Sequence, residues 1–262
     1  MPENRIITLL SDFGLSDVYV GVMKGVIAQI NPSLNVVDLT HQIPPQNIAA
    51  ASFNLMNAYP YFPVGTVHIA VVDPGVGSQR RAIALQLHKS FLVGPDNGLF
   101  SGVLNQNSVV KAVELTNSKY WQTTTPSTTF HGRDIFASVG AYLASGVPLE
   151  QLGSPINPAT LTKLAIREPT LTATRIAGYI QYIDHFGNLV SNIPAADLQG
   201  KTWSVVIGDR LIPASLTYSD GQAGEIVALI GSHGWLEIAK VGGSAQSQLQ
   251  LDWEARVEIR LT

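Results

Sequence analysis

The chain has no cysteine, which removes disulfides, thiolate nucleophiles, cysteine-ligated zinc and iron–sulfur clusters together. Charge is scarce as well: only 13% of residues are Asp, Glu, Lys or Arg, and 16 basic against 19 acidic residues leave a formal charge of −3 with no run of one sign. Nucleic acid and anionic membranes are therefore not the expected partners, and a small molecule is. No apolar stretch approaches the roughly 20 residues that a bilayer span needs, and the opening MPENRIITLLSDFG lacks the cationic and long apolar parts of a secretory leader. The expected address is the cytoplasm. What is plentiful is apolar material, 45% of 262 residues, enough for one generous core or two modest ones and incompatible with disorder. Any chemistry has to use oxygen, nitrogen or water.

Along the chain, RIITLL (5–10) reads as a buried strand that stops at the polar turn SDFG. A helix is expected from Asp17 to Ile30, with Val18, Val22, Val26 and Ile30 as its apolar stripe and Asn31-Pro32 closing it. Strand NVVDLT (35–40), helix NIAAASFNLMNAY (47–59) and strand VHIAVVDPGVGS (67–78) follow, then strands AIALQL (82–87) and SFLVGP (90–95) and a helix HGRDIFASVGAYLAS (131–145) carrying Ile135, Phe136, Val139 and Leu143. Alternating strands and helices predict a layered α/β domain with a mostly parallel sheet over 1–160. Three prolines without a period mark a boundary at 155–172. Beyond it the runs TRIAGYIQYID, WSVVIG, EIVALIG, GWLEIAKV and ARVEIRL, parted by turn residues, predict a smaller antiparallel β-barrel-like domain over 171–262.

Five stretches concentrate reactive side chains. SDFGLSD (11–17) puts Asp12 and Asp17 after a strand, where open α/β sheets bind ligands, and an ionised carboxylate there suits a ribose diol; Asp17 equally suits a helix cap. VVDPGVGSQRR (71–81) ends a strand at Asp73 in a tight glycine turn, with Arg80 or Arg81 downstream to pair with it around a water molecule. Its glycines lack the spacing of a phosphate loop. TTFHGRD (128–134) sets His131 just before a helix, and YIDHFGNLVSNI (182–193) offers Asp184 for an ammonium, Phe186 for stacking and Asn188 for an adenine edge, unless it is an ordinary hairpin turn. IGSHGWLEIAKVGG (230–243) brings Ser232 and His233 between apolar runs. No HExxH-like spacing of ligands occurs, so no metal is expected.

In this order SDFG, DPGVG, FHGRD, DHFGN and SHGWLEIA cover nearly the whole chain, and together they resemble the S-adenosyl-L-methionine hydroxide adenosyltransferase family, the water-using relatives of fluorinase and chlorinase. The resemblance implies an α/β N-terminal domain, a β-barrel C-terminal domain and a homotrimer with sites where subunits meet. It implies hydrolysis of S-adenosyl-L-methionine at ribose C5′ to adenosine and L-methionine, with no cofactor. It assigns Asp12 to the ribose hydroxyls, Asp73, Arg80 and His131 to water activation, Asp184 to the methionine ammonium, and Phe186, Asn188 and the Ser232 to Glu237 turn to the adenine and methionine surroundings. Halogenating relatives carry Tyr and Ser where this chain has Asp73 and His131. A halide-transferring enzyme and a non-catalytic binder of adenosine or S-adenosyl-L-methionine are the alternatives.

A sulfonium leaves as a neutral thioether and needs no general acid. Making free hydroxide from water of pKa about 15.7 at neutral pH would cost roughly 12 kcal/mol, against about 4 kcal/mol from one Arg charge at ~4 Å and an effective dielectric of ~20. Attack and proton transfer are therefore expected to be concerted, with His131 the expected proton acceptor because pairing with Arg80 weakens Asp73 as a base.

Overall fold

A computed structural model describes residues 6–165, 167–208 and 210–262, so Arg5 at the head of the first expected strand lies outside it. The chain divides into two compact units, the second starting at Ala165.

In the first unit β1 (Ile7–Ser11) leads through α1 (Tyr19–Ile30) to β2 (Val36–Thr40), and α2 (Ile48–Ala58) leads to β3 (Val67–Val71). There follow β4 (Ala82–Leu87), β5 (Phe91–Pro95), the short α3 (Ser101–Leu104), β6 (Val109–Glu114), α4 (Ser138–Ala144) and β7 (Ser154–Pro155). The sheet order is β2-β1-β3-β5-β4-β6-β7. The pairs β1–β2, β1–β3 and β3–β5 are parallel, whereas β4–β5, β4–β6 and β6–β7 are antiparallel. The sheet is thus mixed: five strands run one way, and β4 and β7 run against them. β1 and β3 are buried at every position, as strands covered on both faces must be, and their ITLLS and VHIAV text is continuous rather than alternating.

Two expectations for this unit need correction. In α1 the buried residues are Val20, Met23, Val26 and Ile27, whereas Val18 is 72% exposed and precedes the helix. Rows spaced purely by four wind away from one face of a 3.6-residue helix, and alternating steps of three and four keep to it. The segment expected as one helix over 131–145 opens with a π-helical turn, Gly132–Ala137, before α4. Its apolar positions are nevertheless the core ones, with Ile135, Phe136, Val139 and Leu143 all at most 4% exposed. α4 lies so close to β3 that a Cβ on Gly140 would stand 2.3 Å from Ile69 Cδ1.

β3 also buries His68, whose Nδ1 is 2.8 Å from Thr8 Oγ1, and burial alone drives its pKa down to about 4. A histidine held neutral by folding leaves stability intact above its unfolded pKa near 6.5 and erodes it as pH falls toward 4. By pH 5 the loss reaches about 2 kcal/mol. Thermal melts between pH 7 and pH 5 should show this loss in the wild type and lose most of it in His68→Asn.

The second unit contains β8 (Thr170–Leu171), β9 (Arg175–Ile183), β10 (Leu189–Pro194), α5 (Ala195–Leu198), β11 (Trp203–Ile207), β12 (Arg210–Pro213), β13 (Ile226–Ile230), β14 (Trp235–Lys240), α6 (Ala245–Leu249) and β15 (Arg256–Leu261). Its sheet runs β12-β11-β15-β9-β10-β14-β13, every named pair antiparallel. An Ala214–Ala228 bridge after β12 brings the edges together into a nearly closed barrel. Alternation is clear here: Ile176 and Ile180 of β9 and Val257 and Ile259 of β15 point into a core shared with Leu236, Ile238 and Trp203. Of the expected boundary segment, Ser154–Pro155 pairs with β6 and Leu161 is buried in the first unit. Among the described residues no helix is long and apolar enough to cross a membrane.

Candidate active site

β1 and β3 are parallel neighbours paired Ser11 to Val71, so their carboxyl ends release Asp12 and Asp73 side by side. The chain leaves β1 for β2 on one side and returns to β3 on the other, which makes this junction the switch point where such sheets open a crevice. A cavity of about 410 Å³ lies there, lined by Asp12, Asp73 and His131 and walled by Phe13, Tyr19 and Phe130. The three rings meet edge to face or tilted at centroid distances of 5.9, 5.7 and 5.2 Å, a mutually supported wall.

Asp73 and Arg80 form a nearly buried pair, their side chains 5% and 10% exposed. Arg80 Nε donates to Asp73 Oδ1 at 3.0 Å and Oδ2 at 2.9 Å, and Nη2 donates to Oδ2 at 2.5 Å. The intervening turn is closed by Val76 N to Asp73 O at 3.2 Å and Ser78 N to Gly75 O at 3.1 Å. Gly77 sits at φ +77, and a Cβ there would fall 2.4 Å from Thr128 O, so only glycine fits. Arg81 goes elsewhere, to Asp96 Oδ2 at 2.9 and 2.5 Å and to Thr160 O at 2.6 Å.

The same Arg80 Nη2 stands 2.7 Å from His131 Nδ1. Arginine has no acceptor, so Nδ1 must offer its lone pair, and the neutral ring carries its proton on Nε2. Burial first, and the Arg80 charge second, hold the His131 pKa below the ordinary imidazole value against the opposing pull of Asp73 and Asp134. Arg80 is stacked over Phe136 at 5.4 Å from the ring centre, so the guanidinium is fixed on all sides. The outcome reverses one expectation: His131 presents an N–H donor, not a basic nitrogen.

The π-turn begins one residue after His131 and carries Asp134, which is 1% exposed. Asp134 accepts Ser127 N at 2.7 Å and Arg133 Nη2 at 2.9 Å, pinning the loop that brings Thr129, Phe130 and His131 to the cavity. Irregular helical turns of this kind are frequent at functional sites.

Asp12 Oδ2 accepts the backbone N–H of Gln46 at 2.8 Å. Gln46 lines the cavity at φ +65 and was not singled out from the sequence, since nothing marks a glutamine as left-handed. Asp17 is exposed, does not line this cavity, and makes no cap, α1 starting without a side-chain hydrogen bond at its N-terminus.

In the second unit Asp184 to Asn188 is the hairpin turn between β9 and β10. Asp184 Oδ1 accepts Phe186 N and Asn188 N, each at 2.9 Å, and Oδ2 accepts Asn188 Nδ2 at 2.9 Å, while Phe186 is 73% exposed. Ser232 is exposed in the turn before β14. His233 Nδ1 accepts Trp235 N at 3.2 Å and its Nε2 stands 3.1 Å from Glu237 Oε2, so both ring nitrogens serve the turn. Glu237 is 3% exposed and also accepts the Tyr218 hydroxyl at 2.7 Å. Burial first, then the Glu237 bond and the Glu237 and Asp184 charges, raise the Tyr218 pKa well above the phenol range. Nothing in the sequence marks Tyr218, because TYSD reads as loop text. Among the described residues no group of three or more His, Asp or Glu is arranged to hold a metal ion.

Comparison with known proteins converges on one family. Residues 7–153 match the SAM hydroxide adenosyltransferase N-terminal domain and residues 178–258 the C-terminal domain of the same family. An (R)-S-adenosyl-L-methionine hydrolase of Thermus thermophilus is 40% identical, the match covering 94% of this chain and 96% of that one. A fluorinase of Actinoplanes sp. is 28% identical over 90% of this chain and 91% of its own. A crystal structure of an uncharacterized conserved protein from Thermotoga maritima superposes with a TM-score of 0.90 at 36% identity, covering 97% of this chain and 99% of that one.

Proposed function

Because the chain belongs to the SAM hydroxide adenosyltransferase family, we propose that it hydrolyses S-adenosyl-L-methionine at ribose C5′, releasing adenosine and L-methionine. The observation that carries this reading is the unbroken chain Asp73–Arg80–His131 at the edge of a cavity that Asp12 also lines.

Asp12 takes the ribose hydroxyls on its carboxylate, which directs C5′ toward Asp73. Water bound between Asp73 and the His131 Nε2–H attacks C5′ opposite sulfur. The C5′–O bond forms as the C5′–S bond breaks, and its electron pair stays on sulfur as a neutral thioether. The attacking oxygen becomes a strong acid as it bonds to carbon, so the Asp73 carboxylate takes the proton and later releases it to solvent. No free hydroxide is required, and most of the acceleration comes from holding water and C5′ in line. Asp184, Phe186, Asn188 and the Ser232 to Glu237 turn serve the adenine and methionine ends, and Asp17 is retained as a substrate-binding candidate. No cofactor takes part. A homotrimer with sites at subunit interfaces and a cytoplasmic address belong to the same proposal. Halide transfer is disfavoured because the ionised Asp73 repels an incoming anion.

The test is turnover of the (R)-sulfonium epimer in heavy-oxygen water with chromatographic and mass analysis. Label in the adenosine 5′-hydroxyl is the expected result. Chloride-dependent 5′-chloro-5′-deoxyadenosine would transfer the chain to the halogenating class, and binding without product would make it a non-catalytic module.

A further inference from the structure

The turn that carries Asp12 is gripped at three points by one loop. Ser11, 2% exposed, lies with its Oγ 2.7 Å from Nδ1 of His41, itself 3% exposed. Gly14 N donates to His41 O at 2.8 Å, and five residues on Gln46 N donates to Asp12 Oδ2. Ser11 Oγ also accepts Phe13 N at 3.3 Å, so this one hydroxyl joins His41 Nδ1 to the backbone of the Asp12 turn. On its far side His41 Nε2 stands 3.1 Å from Asp38 Oδ1, near enough for electrostatic attraction but without hydrogen-bond alignment. Asp38 is in turn paired with Lys24 at 2.6 Å. The line Lys24–Asp38–His41–Ser11 thus runs from the surface to the base of the Asp12 turn, and none of these four side chains lines the cavity.

A buried serine–histidine contact of this kind has no nucleophilic use, since substrate cannot reach Ser11. Its geometric effect is to fix the strand end, and hence the direction of the Asp12 carboxylate. We propose that His41 is a positioning residue for sugar recognition: its Nδ1, through Ser11, sets the Asp12 oxygens against the ribose hydroxyls. This rests on the ribose role given to Asp12 above.

Two amide replacements separate the ring's nitrogens. In His41→Asn the amide falls where Nδ1 stands and keeps the Ser11 contact, whereas in His41→Gln it falls near Nε2 and loses it. His41→Gln should raise KM for S-adenosyl-L-methionine about tenfold, the loss expected for one well-placed hydrogen bond to a charged group, with kcat changed far less. Calorimetric titration should show its preference for adenosine over 2′-deoxyadenosine collapsing, and His41→Asn should restore both. Ser11→Ala, which removes the contact from the other partner, should repeat the His41→Gln result and serves if that variant does not fold. Wild-type KM and sugar preference in His41→Gln and Ser11→Ala would overturn the proposal, as would equal losses in His41→Asn and His41→Gln. The calorimetric arm needs no turnover, so a wild-type protein that makes no adenosine would sink the hydrolase reading and leave this one still decided by the titrations.

Discussion

Replacing Asp73 with asparagine is expected to lower adenosine release by at least about 10²-fold, the usual worth of a positioned proton acceptor, and it also leaves the Arg80 charge unpaired. Three Arg80–Asp73 contacts disappear or become neutral at once. The guanidinium then has no counter-charge in a place where its side chain is only 10% exposed, and the acceptor proposed for the water proton is gone as well. Binding should survive, since the proposal gives the sugar to Asp12 and not to Asp73. Steady-state chromatography gives the rate, calorimetry with S-adenosyl-L-methionine gives the affinity, and circular dichroism confirms the fold. Wild-type turnover in Asp73→Asn would remove Asp73 from the reaction, and equal losses of affinity and rate would make it a binding group.

That prediction draws on a contact that the sequence left open. The doublet Arg80-Arg81 cannot be resolved from text, because adjacent residues at a strand's entry point to opposite sides: Arg80 turns back to Asp73, and Arg81 reaches across to Asp96 and Thr160. Strand ends were easier. ITLLS and VHIAV are apolar runs that stop at polar turns, and parallel pairing then places Asp12 beside Asp73 without further information. What stayed hidden depends on tertiary packing. The π-turn after His131 follows from Asp134 being tied to Ser127 and Arg133, and Gln46 is held left-handed beside Asp12 at a position where no residue preference points to it. The face of α1 is obscured for a simpler reason, that an apolar residue at every fourth position from Val18 to Ile30 imitates a stripe. The direction of the His131 proton needed a distance, since only an arginine on Nδ1 fixes the tautomer.

Arg80→Gln should produce the other large loss, again about 10²-fold or more, because the fork that holds Asp73 and His131 in line is gone, and it carries a second signature in its pH dependence. In the wild type, burial and the Arg80 charge keep His131 neutral to below its ordinary pKa, so kcat/KM should hold as pH falls through 6.5 and decline only at lower pH. The decline has a geometric cause: a proton arriving at Nδ1 meets the Arg80 N–H that points at it, and the Asp73–Arg80–His131 line opens. With glutamine at position 80 the positive charge is gone, while Asp73 and Asp134 still draw the His131 pKa upward. The acid limb should therefore move to higher pH in the residual activity, and NMR titration of the His131 ring should show the same displacement. Arg80→Lys restores charge but not the fork that reaches Asp73 and His131 together, so it should recover the pH limb while leaving most of the rate lost. Recovery of both by lysine would mean that charge alone suffices and that the paired geometry has no part in positioning water. An acid limb that stays in place in Arg80→Gln would instead separate His131 from Arg80, and with it the argument that His131 serves the reaction as a neutral donor.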